Sequence, residues 1–356
     1  MSTTRPRTPQ QASALVKRKA EELGFSAVGV ARANASLEPE FERYRAALDD
    51  GLHGPLAYLA ENVEARRSLA HADVLAGAKS VVVVTIRYDQ ADAEGELVRA
   101  IARYARGRDY HNRVRKALRQ LAAYVRTLGD DVGARPMIDT APVLERAWAA
   151  RAGVGFVAKN GLVITPGQGS WSLLGEVVTT LELAPDAPIA ERCGQCTRCL
   201  EACPTGALVR PFVLDAGRCI STWTIEVEGP SPAPLRPAVA AHLFGCDVCQ
   251  EVCPHNAKAR PAGRYASTFA PHERWNHLTL EQLARIGMPD GPRWDEVSEG
   301  TPLHRAGADG LARNACLGLG HRRDRATLPL LREIAAGHPS AVVREAASWA
   351  IDRLTE

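Results

Sequence analysis

The sequence predicts a mixed α/β domain, then a small cysteine-rich domain, then an α-helical region. Three observations support this order. Helical and strand patterns alternate over the first half of the chain, eight of the nine cysteines fall between residues 193 and 253, and short helical patterns closed by glycine follow residue 301. We place the three domains at residues 1–186, 187–262 and 263–356.

The first half alternates between helix and strand patterns. Residues 12–23 carry apolar side chains at helical spacing and are followed by Gly24, and residues 26–32 predict a strand. The β-branched run at residues 81–86 predicts a buried central strand. Further predicted helices are 97–105, 113–128 and one through Val143, Leu144 and Trp148, and further predicted strands are 136–138, 162–165 and 171–183. We expect a sheet covered by helices.

The cysteine spacing predicts two 4Fe–4S clusters in a ferredoxin-like domain. Residues 193–204 follow the bacterial ferredoxin pattern, whose fourth cysteine ligates the other cluster. The second run, residues 246–254, has Leu243 where a further cysteine is expected, so Cys219 is predicted to replace it. The predicted ligand sets are Cys193, Cys196, Cys199 and Cys253 for one cluster, and Cys203, Cys219, Cys246 and Cys249 for the other.

Two other uses of these cysteines fit the sequence less well. Disulfides form in oxidising compartments, and the first residues lack the apolar segment of a secretory signal. Structural zinc prefers two paired CxxC units over this tighter spacing. The remaining Cys316 lies in an apolar helical stretch and is predicted to be a buried thiol.

The C-terminal region predicts short paired helices. Residues 311–319, 328–336 and 342–354 have helical patterns, and Gly320 and Gly337 are expected to close the first two. This arrangement suggests HEAT-like repeats, too few to form a solenoid alone, that pack on the preceding domain. Five arginines in this region are candidate contacts to RNA phosphates or, alternatively, ordinary solvated charges: Arg313, Arg322, Arg323, Arg325 and Arg344.

Composition sets broad limits on the class of protein. The 356 residues are 46% hydrophobic and 24% charged, which is ordinary for a globular protein. A net charge of +3 does not by itself indicate a polyanionic partner. No apolar stretch is long enough to cross a bilayer. We therefore expect a cytoplasmic protein with no membrane partner.

Known nucleotide-binding motifs are absent from the sequence. No GxGxxG follows a predicted strand, and no GxxxxGK[ST] loop exists. The Cx3Cx2C motif of radical SAM enzymes is also missing. The clusters therefore transfer electrons, one at a time, to an acceptor that these motifs do not identify.

Four segments together resemble the signature segments of the epoxyqueuosine reductase family. They are CISTWTIE at residues 219–226, FGCDVCQEVCPHN at 244–256, DTAPVLER at 139–146 and GRDYH at 107–111. The resemblance extends from about residue 12 to residue 354. It implies an α/β cobalamin-binding domain at the N-terminal end and reduction of epoxyqueuosine to queuosine at the wobble position of a tRNA anticodon. It also implies an external low-potential electron donor, and we expect a monomer.

The resemblance assigns Asp139 as the catalytic proton donor beside the cobalamin. Loss of the epoxide oxygen requires a proton for the leaving alkoxide, and general acids supply such protons. The alternative is that Asp139 caps the helix that begins after Pro142. The nearby Asp109-x-His111 is similar to the motif that gives cobalamin a histidine ligand, but Val114 replaces its glycine. We therefore expect no histidine ligand to cobalt.

Four further residues are cofactor contacts by resemblance. Ser221 and Thr222 follow a cluster ligand, and their alternative role is hydrogen bonding within the loop. Gln250 lies inside the second cysteine run and is alternatively a solvent-facing residue. Arg66 matches a basic family position, although its neighbour Arg67 leaves the register open.

Two other functions share part of this pattern. A cobalamin-dependent reductive dehalogenase has similar domains but usually carries a twin-arginine export signal, which is missing here. A polyferredoxin-type electron carrier has the clusters and no corrin. The visible spectrum of bound corrin separates the carrier from the two enzymes.

Overall fold

The computed structural model describes residues 8–90, 93–139, 141–257 and 263–356. Thr140, within the segment at 139–146, and residues 258–262 of the predicted second domain lie outside the described residues. Among the described residues, no helix is both long enough and apolar enough to span a membrane.

A four-stranded antiparallel sheet forms the centre of the N-terminal half. Its strands are β1 (Ala27–Arg32), β2 (Ser80–Arg87), β3 (Ala134–Met137) and β6 (Ser172–Thr179), in the order β1-β2-β6-β3. All eight residues of β2 are buried, which confirms the predicted central strand. Two short pairs lie outside this sheet: β4 (Phe156–Val157) with β5 (Val163–Ile164), and β7 (Leu208–Arg210) with β8 (Val213–Leu214).

Helices cover both faces of the sheet. Helices α1 (Pro9–Glu22) and α4 (Tyr110–Arg126) pack on one face, and α5 (Glu145–Arg151) packs on the other. Side chains alternate along β2, so Val82 joins the core under α4 while Val83 joins the core under α5. The helix-covered sheet is therefore as the alternating pattern predicts.

Three helices differ from the sequence prediction. Val143 and Leu144, expected inside one helix, precede α5, which begins at Glu145. The predicted helix at 97–105 is α3 (Glu96–Arg99) followed by a separate 3₁₀ turn, because the Ala102 amide donates to the Phe244 carbonyl instead of continuing the helix. Helix α2 (Glu38–Asp49) was not predicted. The other short helices are α6 (Arg198–Ala202), α7 (Arg236–Val239), α8 (Val248–Glu251), α9 (Ala266–Phe269), α10 (Leu280–Ala284) and α11 (Trp294–Ser298).

The C-terminal region is helical, with α12 (Gly307–Arg322), α13 (Leu328–Gly337) and α14 (Ala341–Thr355). The prediction that Gly320 closes the first of these helices is wrong. Gly320 lies inside α12, where a Cβ atom would come within 2.8 Å of the Ala350 Cα of α14. Glycine is therefore required there by close helix packing. Cys316 is fully buried, as predicted.

Helix α12 joins this region to the cysteine-rich domain. The buried Arg313 guanidinium donates to the carbonyls of Val227, Gly229 and Trp223 at 2.6 Å each. The Asn314 side-chain amide donates to the Thr224 carbonyl at 3.0 Å. The helices therefore pack on the preceding domain, as predicted. Neither of the two roles considered for Arg313, an RNA contact or a solvated charge, fits this position, because its side chain is buried.

Candidate functional site

One predicted ligand set surrounds a cavity. None of the nine cysteines forms a disulfide, and all except Cys316 are partly exposed. A cavity of ≈ 180 Å³ lies beside helix α6 and the loop before it. Its lining includes all four cysteines of the first predicted set, namely Cys193, Cys196, Cys199 and Cys253. The chain thus brings together three cysteines of the first run and the last cysteine of the second run.

The second predicted set also lies together. Burial, together with the charges of Cys219 and Cys203, raises the pKa of the Cys246 thiol to about 12. Burial likewise raises the pKa of Cys249, with contributions from Cys246 and Cys219. Leu243, at the position where a cysteine is missing, is buried in the hydrophobic core. Cys219 therefore lies near the other three, as its predicted role requires.

The arrangement fits iron–sulfur cubes better than single ions. In the described parts of the chain, no three His, Cys, Asp or Glu side chains converge closely enough to hold one metal ion. Four sulfurs around a cavity instead suit a group of several atoms. The first set therefore fits a 4Fe–4S cluster better than a single zinc ion.

Two polar side chains hold the cysteine loops against the α/β domain. Lys159 Nζ donates to the carbonyls of Gly194 at 2.6 Å and Cys196 at 3.0 Å. The Asn160 side-chain amide donates to the Cys249 carbonyl at 3.3 Å. Lys159 therefore reaches the loop of the first ligand set, and Asn160 reaches that of the second.

Asp139 follows β3 and contacts His111 of helix α4. Its backbone has φ +56°, a left-handed conformation that aspartate tolerates better than most residues. A carboxylate oxygen of Asp139 lies 3.2 Å from His111 Nε2, and His111 Nδ1 lies 2.8 Å from Asp109 Oδ1. The imidazole is thus held between two carboxylates. The capping alternative is not supported, since α5 begins later, at Glu145.

The two carboxylates determine where the proton resides. The hydrogen bond to Asp109, followed by that to Asp139, raises the pKa of His111 to about 9. The hydrogen bond from His111 in turn lowers the pKa of Asp139. At neutral pH the histidine is therefore protonated and Asp139 is a carboxylate. Sequence reasoning missed His111, because Asp109-x-His111 was considered only as a possible cobalt-ligand motif.

A second carboxyl group positions the Asp139 backbone. Glu145 Oε1 accepts a hydrogen bond from the Asp139 amide at 2.8 Å. The Glu145 carboxyl in turn contacts that of Glu176, which lies fully buried in β6 and has no donor from any other described residue. Burial raises the pKa of both carboxyl groups, that of Glu145 to about 7. A shared proton satisfies this pair, because two adjacent carboxylates, one of them fully buried, repel each other.

Charged side chains surround Asp139 near the half-exposed Tyr58. Partial removal from water raises the pKa of the Tyr58 hydroxyl. Four charged side chains also act on this hydroxyl: Glu226, Arg305, Asp139 and Arg66. Arg66 donates to the Tyr58 carbonyl at 3.3 Å, while its Nε is buried and has no hydrogen-bond partner among the described residues. The site therefore has an unused donor next to an exposed aromatic ring.

The other predicted cofactor residues differ in their surroundings. Ser221 donates a hydrogen bond that lowers the pKa of Cys219, which burial otherwise raises. Thr222 is buried in a π-helical turn at Thr222–Glu226. Gln250 is buried rather than solvent-facing, and its side chain is bonded to Tyr88, Ser170 and Asp247. The amide of Gln250 is therefore used inside the protein.

Three of the remaining candidate arginines of the C-terminal region have partners inside the protein. Arg322 forms ion pairs with Glu96 and Glu281, at 2.5 Å and 3.4 Å. Arg325 donates to the Leu354 carbonyl, and Arg344 to that of His338. Arg323 is exposed at the end of α12. These contacts favour structural roles over a continuous phosphate-binding surface.

Two family models match the chain. The model described as "Epoxyqueuosine reductase QueG, DUF1730" matches residues 69–140. The model described as "4Fe-4S double cluster binding domain" matches residues 192–256, which include all eight predicted cluster ligands.

Curated relatives match almost the whole chain. An epoxyqueuosine reductase of Gloeobacter violaceus is 42% identical over 319 residues, covering 88% of this chain and 97% of the relative. That of Pseudomonas aeruginosa is 37% identical, covering 98% and 96%. That of Escherichia coli is 33% identical, covering 96% and 89%.

Solved structures share the fold. An epoxyqueuosine reductase solved with a tRNA-Tyr epoxyqueuosine-modified stem loop has a TM-score of 0.85 and 31% identity, covering 98% of this chain and 92% of that chain. The Bacillus subtilis enzyme, solved with the loop of its catalytic aspartate swung out of the active site, has a TM-score of 0.85 and 30% identity, covering 98% and 91%.

Proposed function

Because this chain belongs to the epoxyqueuosine reductase family, we propose that it reduces the epoxide of epoxyqueuosine in tRNA to the alkene of queuosine. The observation that carries this proposal is the position of Asp139, which is bonded to a protonated His111 and lies near Arg66 and Tyr58. This site is continuous in sequence and space with the cysteine sets, because Glu226 lies in the segment that begins at Cys219.

The chemistry requires electrons and protons in equal number. An epoxide becomes an alkene and water when it takes up two electrons and two protons. When bound, reduced cobalamin supplies the strong nucleophile and reductant, and two 4Fe–4S clusters supply electrons one at a time. The protein must deliver protons to the departing oxygen and keep the reduced centre from water.

The described residues fit a cobalamin beside Asp139. The unpartnered Arg66 Nε is a donor suited to an amide carbonyl of the corrin side chains. In sequence, Ser221 and Thr222 follow the predicted ligand Cys219 and precede Glu226, whose charge acts on Tyr58, so they would hold the cofactor next to its electron source. Gln250 would act on the cofactor indirectly. Its side-chain amide forms hydrogen bonds with Ser170 and Tyr88 that fix the position of the second cysteine run.

Asp139 delivers the proton and His111 stores it. A carboxylate cannot donate, so Asp139 must first receive the proton that His111 holds at neutral pH. Their 3.2 Å contact permits this transfer directly. Asp109 fixes the orientation of the imidazole through its other nitrogen. This arrangement refines the expectation that Asp139 acts alone.

The remaining expectations follow from the same family membership. The substrate tRNA presents its anticodon loop to the Asp139 side, and an external low-potential donor supplies the electrons. We place the enzyme in the cytoplasm as a monomer, keep the three domains at 1–186, 187–262 and 263–356, and assign α12 to α14 to a HEAT-like unit. A reductive dehalogenase or a polyferredoxin-type carrier would not require an RNA substrate.

The test is reduction of epoxyqueuosine in RNA. The protein is loaded anaerobically with cobalamin and iron, mixed with epoxyqueuosine-containing tRNA and a low-potential reductant, and the nucleosides are measured by mass spectrometry. Conversion to queuosine by the loaded protein, and none by the same protein prepared without cobalamin, supports the proposal. No conversion by protein with a corrin spectrum and full iron content rejects it, and absence of any corrin binding supports the carrier.

A further inference from the structure

The exposed apolar side chains of the molecule concentrate on one hairpin. Val209, Phe212 and Leu214 of the β7–β8 hairpin are 41%, 46% and 39% exposed. Among the described residues, Tyr58 is the other large hydrophobic side chain with comparable exposure. Phe212 has φ +69°, a conformation unfavourable for a bulky side chain, and its amide donates to the Lys159 carbonyl at 2.9 Å. An exposed phenyl ring is thus held at the hairpin turn.

This hairpin adjoins the first cysteine set. Lys159 contacts the hairpin through its carbonyl and the cysteine loop through its ammonium, which donates to Gly194 and Cys196. Helix α6, which carries Cys199, also packs on β7. The hairpin also begins beside the second set, because the Ala207 amide donates to Cys203 Sγ at 3.2 Å. A protein bound to the hairpin would therefore lie next to both clusters.

The surroundings of the hairpin are basic. Arg192, Arg198 and Arg210 are exposed, and none forms an ion pair with another residue that the structure describes. Two exposed carboxylates lie in the same segments, where Glu191 accepts from the Cys193 amide and Glu201 from the Thr197 hydroxyl, so the three unpaired arginines outnumber the acidic groups. An apolar centre within a positive rim suits a partner with an acidic face, which such a rim attracts over a distance.

The position of the first cysteine set along the electron path favours an electron donor as the partner of the hairpin. The second cysteine set includes Cys219, whose segment continues through Thr222 to Glu226 on the Asp139 side. The first set instead opens to a cavity lined by Arg192 and Arg198. Electrons that enter at the first set therefore pass the second set before they reach the substrate site.

We propose that the β7–β8 hairpin, with Arg192, Arg198 and Arg210, is the docking surface for an acidic one-electron donor protein. This inference rests on the proposed function, which requires an external source of electrons. In each encounter the donor is oxidised by one electron and the first cluster is reduced by one, with no bond or proton transferred. Two encounters supply one turnover.

The test compares three variants with the parent holoenzyme, using a reduced acidic 2Fe–2S ferredoxin as the probe. Arg198→Glu with Arg210→Glu reverses two charges, and Phe212→Asn removes the ring with a residue that tolerates φ > 0. Arg18→Glu with Arg332→Glu is the matched control, because both arginines are exposed on distant helices. The measurements are the ferredoxin Kd at low salt, the rate of cluster reduction in stopped flow, and iron content.

The charge-reversed variant should bind the probe about tenfold more weakly, and its reduction rate should lose the salt dependence of the parent. Phe212→Asn should weaken binding to a similar extent, while the control matches the parent. Reduction by dithionite and iron content should be unchanged in all of them. Parental binding by the hairpin variants, or equal weakening in the control, overturns the proposal.

A second outcome also overturns the proposal that the hairpin binds an electron donor. If the hairpin variants accept electrons from the probe normally but bind epoxyqueuosine-tRNA more weakly, the surface belongs to the RNA. These measurements do not need turnover of the epoxide, so their failure is distinguishable from failure of the proposed function.

Discussion

His111 Nε2 lies 3.2 Å from a carboxylate oxygen of Asp139, at the end of a strand that leads directly into the site. This contact pairs a protonated imidazole with an ionised carboxylate at neutral pH, because each partner stabilises the charged form of the other. The proton for epoxide opening is thus stored one step away from the group predicted to deliver it.

Asp109→Asn should shift the alkaline limit of the reaction to lower pH. Its hydrogen bond is the largest cause of the raised pKa of His111, about 9, so its loss moves that pKa toward the ordinary value. The measurement is single-turnover rate against pH. The control is Asp73→Asn, which alters an exposed pair with His71 and keeps the backbone carbonyl that accepts from Arg135 of β3. An unchanged alkaline limb in the Asp109 variant would show that His111 does not supply the proton.

The buried pair Glu145 and Glu176 should make stability fall as pH rises. Both pKa values are raised, so the folded state keeps protons that the unfolded state loses, and the stabilisation present below about pH 4.5 declines as pH passes the pKa of Glu145 near 7. Glu176→Gln removes one titrating group and supplies an N–H donor to Glu145. Its thermal stability should decline less with pH than that of the parent.

Hydrogen exchange tests whether the proton shared by Glu145 and Glu176 positions the Asp139 backbone or whether Glu176 only fills space in the core. The Asp139 amide, which is bonded to Glu145, should keep parental protection in Glu176→Gln and lose it in Glu176→Ala. Glu182→Gln, on the exposed side beyond β6, is the matched control and should behave as the parent does. Equal protection in the Gln and Ala variants would rule out a positioning role for the shared proton.

Iron content tests the cluster assignment. Anaerobically prepared parent protein should bind about eight iron atoms, four for each cube. Cys219→Ala should lose one cluster, because no other cysteine lies free to complete the second set, whereas the buried Cys316→Ala should lose none. Equal iron in the Cys219 variant and the parent would reject the assignment of Cys219.

Arg313→Ala should destabilise the protein without altering the chemistry. The buried guanidinium donates to three carbonyls, and its loss leaves them unpaired at a cost of about 3 kcal/mol or more. The measurement is chemical denaturation, with Arg323→Ala as the exposed control at the C-terminal end of the same helix. A variant as stable as the parent, but with weaker tRNA binding, would instead support an RNA contact by Arg313.

The sequence predicted correctly those elements that are specified by a pattern within one short segment. The β-branched run of β2 and the spacing of the cysteines both specify their surroundings directly. The predicted strand matches the structure, and the four cysteines of the first predicted set line one cavity. The end of α12 was predicted wrongly, because a glycine required by close helix packing has the same sequence signal as one that ends a helix. Only the contact with Ala350 distinguishes the two.

The residues of the site were harder to predict than the strands and helices, because they are brought together by contacts between distant parts of the sequence. Asp139 was identified only through family resemblance, since its partner His111 lies 28 residues away in sequence. The contact of Glu145 with Glu176 joins a helix to a central strand, and no periodic pattern reports it. Arg313 likewise has the sequence of a surface arginine, and only the carbonyls that surround it show that it is buried.

The most direct test of the account is a single turnover of epoxyqueuosine-containing tRNA by the Asp139→Asn variant. Asparagine keeps the shape of the side chain but cannot pass on a proton, so queuosine formation, measured by nucleoside mass spectrometry, should slow by roughly a hundred- to ten-thousand-fold. Iron content, corrin spectrum and tRNA binding should match those of the parent. Queuosine formed at the parental rate by this variant would contradict the assignment of proton delivery to Asp139.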